Sequence, residues 1–314
     1  MLGGLALFLF GVDLLATALR GAGEGGSRDL LRRASANRAA GLGAGLAATV
    51  ALDSSSVVII MLVAIVDAGL VPFARALPVV LGANIGTTVS SQVFAWNVDA
   101  FAPVPMAVGL LARALAKTDR ARRRGDALLG LGLVLFGLHL VGDAAAPLAG
   151  RPEVVEWLKG LESPWLGVLA GAAVTVAIQS SSATLGIVIA LAGGGLITLP
   201  AGLAIMLGAE IGTCADTLVA SAGRSRAAVR LGLFHLLFNI ASVLVGVALV
   251  DALAAFATAT ADGAGQRIAN AHVLFNVAGA LAALPFTGPA ARALDALLPD
   301  RAPGPPCQSA VASS

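Results

Sequence analysis

Two runs of three hydroxyl side chains lie inside otherwise apolar stretches of the chain. The runs are Ser54, Ser55 and Ser56, and Ser180, Ser181 and Ser182. Buried hydroxyl and backbone N–H groups can bind an anion, whereas hydroxyl, amide and carbonyl oxygens suit a hard cation such as sodium. A single triplet in a membrane helix could equally serve only packing between helices. The residues around the two runs distinguish a binding site from simple packing.

A second motif, Gly-Ala-x-Ile-Gly-Thr, follows each triplet. Its two glycines and its hydroxyl group are typical of a transmembrane helix that unwinds to expose oxygen ligands. The polar members are Asn84, Thr87 and Thr88 in the first motif, and Glu210 and Thr213 in the second. Each triplet is thus paired with one predicted broken helix.

Both motifs belong to an internal duplication with an offset of 126 residues. Sixteen of the forty positions from Thr49 to Thr88 are identical, without a gap, to those from Thr175 to Cys214. The identities cluster at glycine and polar positions, which packing in lipid alone would not require. The duplication therefore favours a binding site over simple packing.

The composition places these motifs in a membrane. Of the 314 residues, 58% are hydrophobic and 12% are charged, and the mean hydropathy is +0.90. This excludes a soluble globular enzyme, and the absence of a period of two excludes a β-barrel. Basic residues do not alternate with aromatic ones, so nucleic acid is not an expected partner, whereas membrane lipid is.

The apolar segment around the first triplet predicts a re-entrant hairpin. As one straight helix, residues 39–66 would measure about 42 Å, too long for a bilayer core of about 30 Å. Two limbs that meet at the triplet fit instead. We therefore predict an all-α membrane protein with inverted repeats at 1–126 and 127–254. The hairpins lie at 39–66 and 164–192, the broken helices at 73–96 and 199–222, and a final transmembrane helix and a cytoplasmic tail at 255–288 and 289–314.

The distribution of charge sets the predicted orientation. With three crossings per repeat, including 3–19 and 101–116, seventeen of the twenty Lys and Arg residues lie on one side. Only Arg151, Lys159 and Arg267 lie on the other. By the positive-inside rule, the N-terminus is outside and the C-terminus is cytoplasmic.

Several segments together resemble the type II sodium-dependent phosphate cotransporters and their bacterial relatives. The resemblance rests on Gln-Ser-Ser-Ser at 179–182, its variant Asp-Ser-Ser-Ser at 53–56, the two Gly-Ala-x-Ile-Gly-Thr motifs and the opening segment 4–11. It implies symport of inorganic phosphate with sodium across the cell membrane, with no enzymatic activity and no cofactor other than the coupling ion. Some bacterial relatives carry a cytoplasmic regulatory domain after the last helix, which we do not expect here.

The resemblance also implies which residues bind. The expected phosphate ligands are Ser54, Ser55, Ser56, Asn84, Thr87, Thr88, Ser180, Ser181, Ser182 and Thr213. The expected sodium ligands are Asp53, Gln179, Ser56, Ser182 and Glu210. Asp53 and Glu210 replace the glutamine and asparagine that are usual in the family, and we hypothesise that they ligate a cation or carry a proton.

Other interpretations stay open at this stage. Proton coupling or another oxyanion, such as sulfate, arsenate or a phosphonate, fits the same pattern, and a homodimer is allowed. A serine hydrolase fits poorly, because the triplet is duplicated and has no nearby histidine, and a membrane sensor would need an output domain.

The pairs His235/Asn239 and His272/Asn276, at i and i+4, predict hydrogen bonds between helices. Asp216 could belong to the pathway or be a solvated charge at a helix end.

Overall fold

The computed structural model describes residues 1–34, 37–96 and 101–300, and the regular secondary structure of this part is entirely helical. The first half contains α1 (Leu2–Ala34), α2 (Arg38–Leu52), α3 (Ser55–Asp67), α4 (Phe73–Ala95) and α5 (Pro103–Ala114). The second contains α6 (Asp119–Ala149), α7 (Pro152–Lys159), α8 (Pro164–Ile178), α9 (Ser181–Gly193), α10 (Leu199–Gly212), α11 (Cys214–Ser221) and α12 (Arg226–Ala248). Last come α13 (Val250–Thr260), α14 (Ala264–Ala283) and α15 (Thr287–Leu297). The all-α prediction is confirmed.

Five stretches of the described residues are long and apolar enough to cross a membrane. They are Leu2–Leu19, Asp119–Ala149, Leu199–Ser221, Arg226–Ala248 and Ala264–Leu297. α4 also has 23 residues, but amide and hydroxyl side chains along its second half make it more polar. The chain is therefore a multi-pass membrane protein, because lipid leaves helices as the way to satisfy the backbone of these stretches.

Each predicted hairpin consists of two short helices. α2 and α3 form the first, and α8 and α9 form the second. Limbs of 13 to 15 residues extend about 20 Å at 1.5 Å per residue, too short to cross the core singly. At the base of the second hairpin, the Thr198 hydroxyl donates to Glu162 Oε1 at 3.0 Å, so the chain enters and leaves this hairpin at the same face.

The first limb of each hairpin packs tightly against the long helix that follows in the same repeat. A Cβ on Gly45 would lie 2.0 Å from the Val79 carbonyl oxygen, and one on Gly171 would lie 2.0 Å from that of Ile205. These contacts are equivalent under the offset of 126. In lipid, where hydrophobic burial adds little between helices, small residues stabilise such pairs by allowing close van der Waals packing.

The two repeats also share their buried leucine and isoleucine positions. Ile59, Leu77 and Leu81 are less than 2% exposed, and so are their equivalents at 185, 203 and 207. The same hairpin and long helix are thus built twice around equivalent cores. This agrees with the predicted duplication.

The predicted break in the first long helix is absent, since α4 is continuous from Phe73 to Ala95. Its glycine serves close packing instead: a Cβ on Gly82 would lie 1.9 Å from the Leu42 carbonyl oxygen. In the second repeat, α10 and α11 meet at Thr213, whose φ of −59° and ψ of −24° remain helical. This junction is mild, because the Thr213 N–H still donates to the Ala209 carbonyl.

Three other boundaries differ from the prediction. α1 continues to Ala34, because a helix need not end where its apolar face does. α5 covers 12 residues, about 18 Å, so the predicted crossing at 101–116 is shorter than the bilayer core. The predicted tail at 289–314 is helical to Leu297, because Arg230 pairs with Asp295 and Asp300 and holds α15 against α12; residues 301–314 lie outside the described part.

Candidate functional site

Each hairpin turns at a residue whose backbone is left-handed. Asp53 has φ of 50° and Gln179 has φ of 59°, and no other non-glycine residue in the described ranges has a positive φ. This conformation costs about 1–3 kcal/mol and tends to occur at functional sites. It ends the first limb, so that the chain can begin the second limb at once. The predicted sodium ligands Asp53 and Gln179 therefore occupy the two hairpin tips.

The first serine of each triplet caps the second limb. Ser54 Oγ accepts the Val57 N–H at 3.2 Å, and Ser180 Oγ accepts the Ala183 N–H at 3.1 Å. The other two serines of each triplet lie in the first turn of α3 or α9. Both tips thus present hydroxyl groups beside the positive end of a helix dipole, an arrangement that favours an anion.

The first tip also gathers carboxylate groups from both repeats. The Ser90 hydroxyl on α4 donates to Asp53 Oδ1. The Ser56 side chain lies near the Asp216 carboxylate on α11. Two carboxylates and two hydroxyls therefore meet near one turn, an all-oxygen set that suits a hard cation.

Ser90 was missed by the sequence analysis, and Asp216 was left undecided. A signal for both was present, because positions 90 and 216 are equivalent under the duplication and both are polar. Ser90 and the first tip belong to the same repeat, whereas Asp216 approaches this tip from the other repeat. The two residues are not identical, so the identities between the repeats do not include this pair.

The second tip is held by neutral side chains. The Thr184 hydroxyl donates to the Ser180 carbonyl at 3.1 Å, and the Thr175 hydroxyl donates to Thr184 Oγ1 at 3.0 Å. Gln179 is exposed, and Ser182 is 5% exposed. The two tips share one backbone design but differ in charge, with carboxylates described only at the first.

The threonines of the long helices use their hydroxyl hydrogens within their own helix. Thr87 donates to the Asn84 carbonyl at 2.7 Å, Thr88 to that of Ile85 at 2.8 Å, and Thr213 to that of Ala209 at 3.0 Å. Such groups can still accept a hydrogen bond or bind a cation through oxygen. They are therefore poor donors for the phosphate to which the sequence analysis assigned them.

The remaining two predicted ligands contact α12 and α14. Asn84 Nδ2 donates to Asn239 Oδ1 on α12 at 3.1 Å. Glu210 Oε1 lies 2.8 Å from His272 Nε2 and accepts from Asn276 Nδ2 at 3.0 Å, both on α14. Both side chains are nearly fully buried. Their described partners are thus helices outside the hairpins.

Similarity to known proteins agrees with this arrangement. Two successive blocks of the chain, residues 7–143 and 146–278, match the Na+/Pi-cotransporter family. The chain belongs to this family. The resemblance predicted from the serine triplets is confirmed, and the two blocks correspond to two repeats of one module.

Relatives of this family occur in bacteria and in animals. A Bacillus subtilis protein named "Uncharacterized protein YqeW" is 31% identical over 200 residues, 63% of this chain and 64% of its own. An Escherichia coli O157:H7 protein named "Putative inorganic phosphate export protein YjbB" is 27% identical over 96% of this chain and 55% of its own. Human "Sodium-dependent phosphate transport protein 2C" is 39% identical over 100 residues, 31% of this chain and 16% of its own. No solved structure is significantly similar to the chain.

Proposed function

We propose that this protein is a sodium-coupled carrier of inorganic phosphate in the cell membrane, rather than an enzyme. The observation that carries the proposal is the pair of hairpin tips at equivalent positions of two repeats. Each tip combines a left-handed residue, a serine cap and the N-terminus of a helix. Carriers with inverted repeats bind substrate and coupling ions at such interrupted segments, and move by alternating access.

The charges at the tips suggest how the two ligands are divided. A carboxylate repels phosphate, so the first tip, with Asp53 and Asp216, would hold sodium. The neutral second tip, with Ser181, Ser182 and the N-terminus of α9, would hold phosphate. Bound together, the two ions offset part of each other's charge inside the membrane, which explains why they would be transported together.

The deciding experiment is transport of radiolabelled phosphate by the purified protein in sealed proteoliposomes. We expect accumulation when an inward sodium gradient is imposed, and none with potassium. A proton gradient is tested in the same way at two pH values. Accumulation driven by that gradient would identify protons, instead of sodium, as the coupling ion. Phosphate uptake is also measured in the presence of sulfate, arsenate or a phosphonate. Strong inhibition by one of these competitors would identify it as the preferred oxyanion. No accumulation under any gradient would contradict the proposal.

The division between the tips has its own test. Replacing Asp53 with Gln gives the first tip the residue that the second tip carries, and we expect the KM for sodium to rise about tenfold or more. The KM for phosphate at saturating sodium should change less than threefold. A larger effect on phosphate than on sodium would assign the first tip to the anion instead.

The direction of flux follows from the gradients in this proposal. The E. coli O157:H7 relative is named for export, whereas sodium symport under an inward gradient gives uptake. A carrier that binds both ions from either side is reversible, so vesicles loaded with phosphate and sodium should release phosphate when external sodium is absent. Release at the same rate with and without external sodium would favour a dedicated exporter.

A further inference from the structure

Two buried polar pairs on α12 and α14 share one pattern. His-x-Leu-Phe-Asn supplies His235 and Asn239 on α12, and His272 and Asn276 on α14. All four side chains are no more than 3% exposed. The predicted hydrogen bonds between helices are confirmed, and they connect α12 and α14 to the long helices of both repeats.

The pair on α14 joins the two repeats. His272 Nδ1 lies 2.7 Å from the Ser91 hydroxyl on α4, and its Nε2 lies 2.8 Å from Glu210 Oε1 on α10. Asn276 Nδ2 donates to the same Glu210 oxygen at 3.0 Å. One imidazole thus bridges a hydroxyl of the first repeat and a carboxylate of the second.

The pair on α12 makes the equivalent contacts with the repeats exchanged. His235 Nδ1 lies 3.2 Å from the Thr217 hydroxyl on α11, and Asn239 Oδ1 accepts from Asn84 on α4 at 3.1 Å. Under the offset of 126, position 217 is equivalent to 91 and position 84 to 210. Two equivalent clamps therefore hold the long helices, one centred on α12 and one on α14.

One contact has no equivalent. His235 Nε2 is buried and makes no hydrogen bond in the described part of the chain, whereas His272 Nε2 is bonded to Glu210. The residue at the position equivalent to Glu210 is Asn84, whose amide bonds Asn239 instead. The α12 clamp therefore contains every member of the α14 clamp except the carboxylate.

The clamps adjoin the hairpin tips. Ser91, which contacts His272, follows Ser90, which donates to Asp53. Glu210 lies near the end of α10, and the chain continues through Thr213 to Asp216 on α11, which lies near Ser56 of the first tip. A shift of α10 relative to α14 would therefore alter the oxygen atoms around the first tip.

We infer that Glu210 is a positioning residue for transport, which fixes α10–α11 and α4 through the α14 clamp, and that the α12 clamp is an equivalent position able to accept the same carboxylate. This rests on the proposed function for its transport readout alone. Glu210 acts here through His272 and Asn276, and it is not a ligand of sodium or phosphate. A buried carboxylate that is hydrogen-bonded to two side chains of one helix can fix that helix, because moving it would leave these polar groups without partners.

The test exchanges the residues at positions 84 and 210. We compare Glu210→Asn, Asn84→Glu and the double variant, with Asp251→Asn as a control that removes an exposed carboxylate from α13. Glu210→Asn should lower the maximal rate of phosphate uptake about tenfold, with both KM values within twofold. The double variant should recover most of that rate, because its carboxylate would face the free Nε2 of His235.

Thermal unfolding of the purified proteins separates this inference from the proposed function. Glu210→Asn should lower the unfolding temperature, and the double variant should recover most of this decrease, whatever the protein transports. A double variant no better than the worse single variant in both measurements would overturn the inference. So would a rise in the KM for sodium in Glu210→Asn, which would make Glu210 a ligand.

Discussion

At the scale of single residues, the three serines of a triplet have different tasks. Ser180 Oγ is occupied by the Ala183 N–H, whereas no such local bond occupies Ser181 in the described contacts. A hydroxyl that caps a helix contributes to stability, and one that is free at a helix N-terminus contributes to binding. The triplet therefore combines a structural serine with two that can contact a ligand.

This division predicts opposite effects within one triplet. Ser180→Ala should lower the free energy of unfolding by about 1 kcal/mol, because the first turn of α9 loses its cap. Ser181→Ala should leave stability within about 0.5 kcal/mol, and raise the KM for phosphate about tenfold or more. Thermal unfolding and proteoliposome uptake measure the two effects. Equal losses of stability in both variants would contradict the assignment.

At the scale of elements, glycines decide how the long helices pack. Gly82 and Gly208 are equivalent, and a Cβ on either would lie about 2 Å from a carbonyl oxygen of the adjacent hairpin limb. Gly43, on the first limb, has open space around the position of a Cβ. These three positions look alike in the sequence, since each is a glycine in an apolar helix.

Alanine at these positions should therefore separate packing glycines from tolerant ones. Gly82→Ala and Gly208→Ala should each destabilise the protein by about 1–3 kcal/mol or more, because the limb must move away. Gly43→Ala should be neutral or should stabilise it by about 0.5–1 kcal/mol, since alanine favours helix. Unfolding midpoints of the three purified variants provide the comparison. Tolerance of Gly208→Ala would show that the limb is not fixed there.

At the scale of the whole molecule, ion pairs connect the base of the first hairpin and α15 to the N-terminal part of α12 and the turn before it. Arg224 pairs with Asp67 at the end of the first hairpin, and Arg230 pairs with Asp295 beside α15. The base of the second hairpin is closed separately, by Thr198 and Glu162. The stretch Leu199–Ser221, which is long enough to cross a membrane, runs from the base of the second hairpin to the base of the first. This agrees with two hairpins that enter from opposite faces, as inverted repeats predict.

Labelling of single cysteines tests the predicted orientation. In a Cys307→Ser background, Cys214 is fully buried and should not react. Ser163→Cys should react with an impermeant reagent added to intact cells, because this loop is predicted to be outside. Lys117→Cys should react only after permeabilisation. The reverse pattern would invert the orientation, and reaction of both in intact cells would contradict the predicted crossings.

The sequence by itself determined the membrane class, the duplication and the position of both turns. Composition and length are sufficient for the first, because the bilayer fixes what an apolar segment can do. The turns at Asp53 and Gln179 followed from polar residues at equivalent positions of an apolar segment too long to cross once. These features depend on local sequence and on its repetition.

The tertiary structure alone decided the partners of the polar side chains. The sequence predicted that α4 unwinds at its glycines, yet Gly82 allows contact with Leu42 and the helix stays continuous. It predicted Glu210 as a sodium ligand, which stays a prediction, but it did not specify that the fold brings His272 and Asn276 to this carboxylate. Both outcomes depend on helices distant in the chain, because hydrogen bonds and packing between helices are set by their crossing and rotation, which the spacing within one segment does not specify.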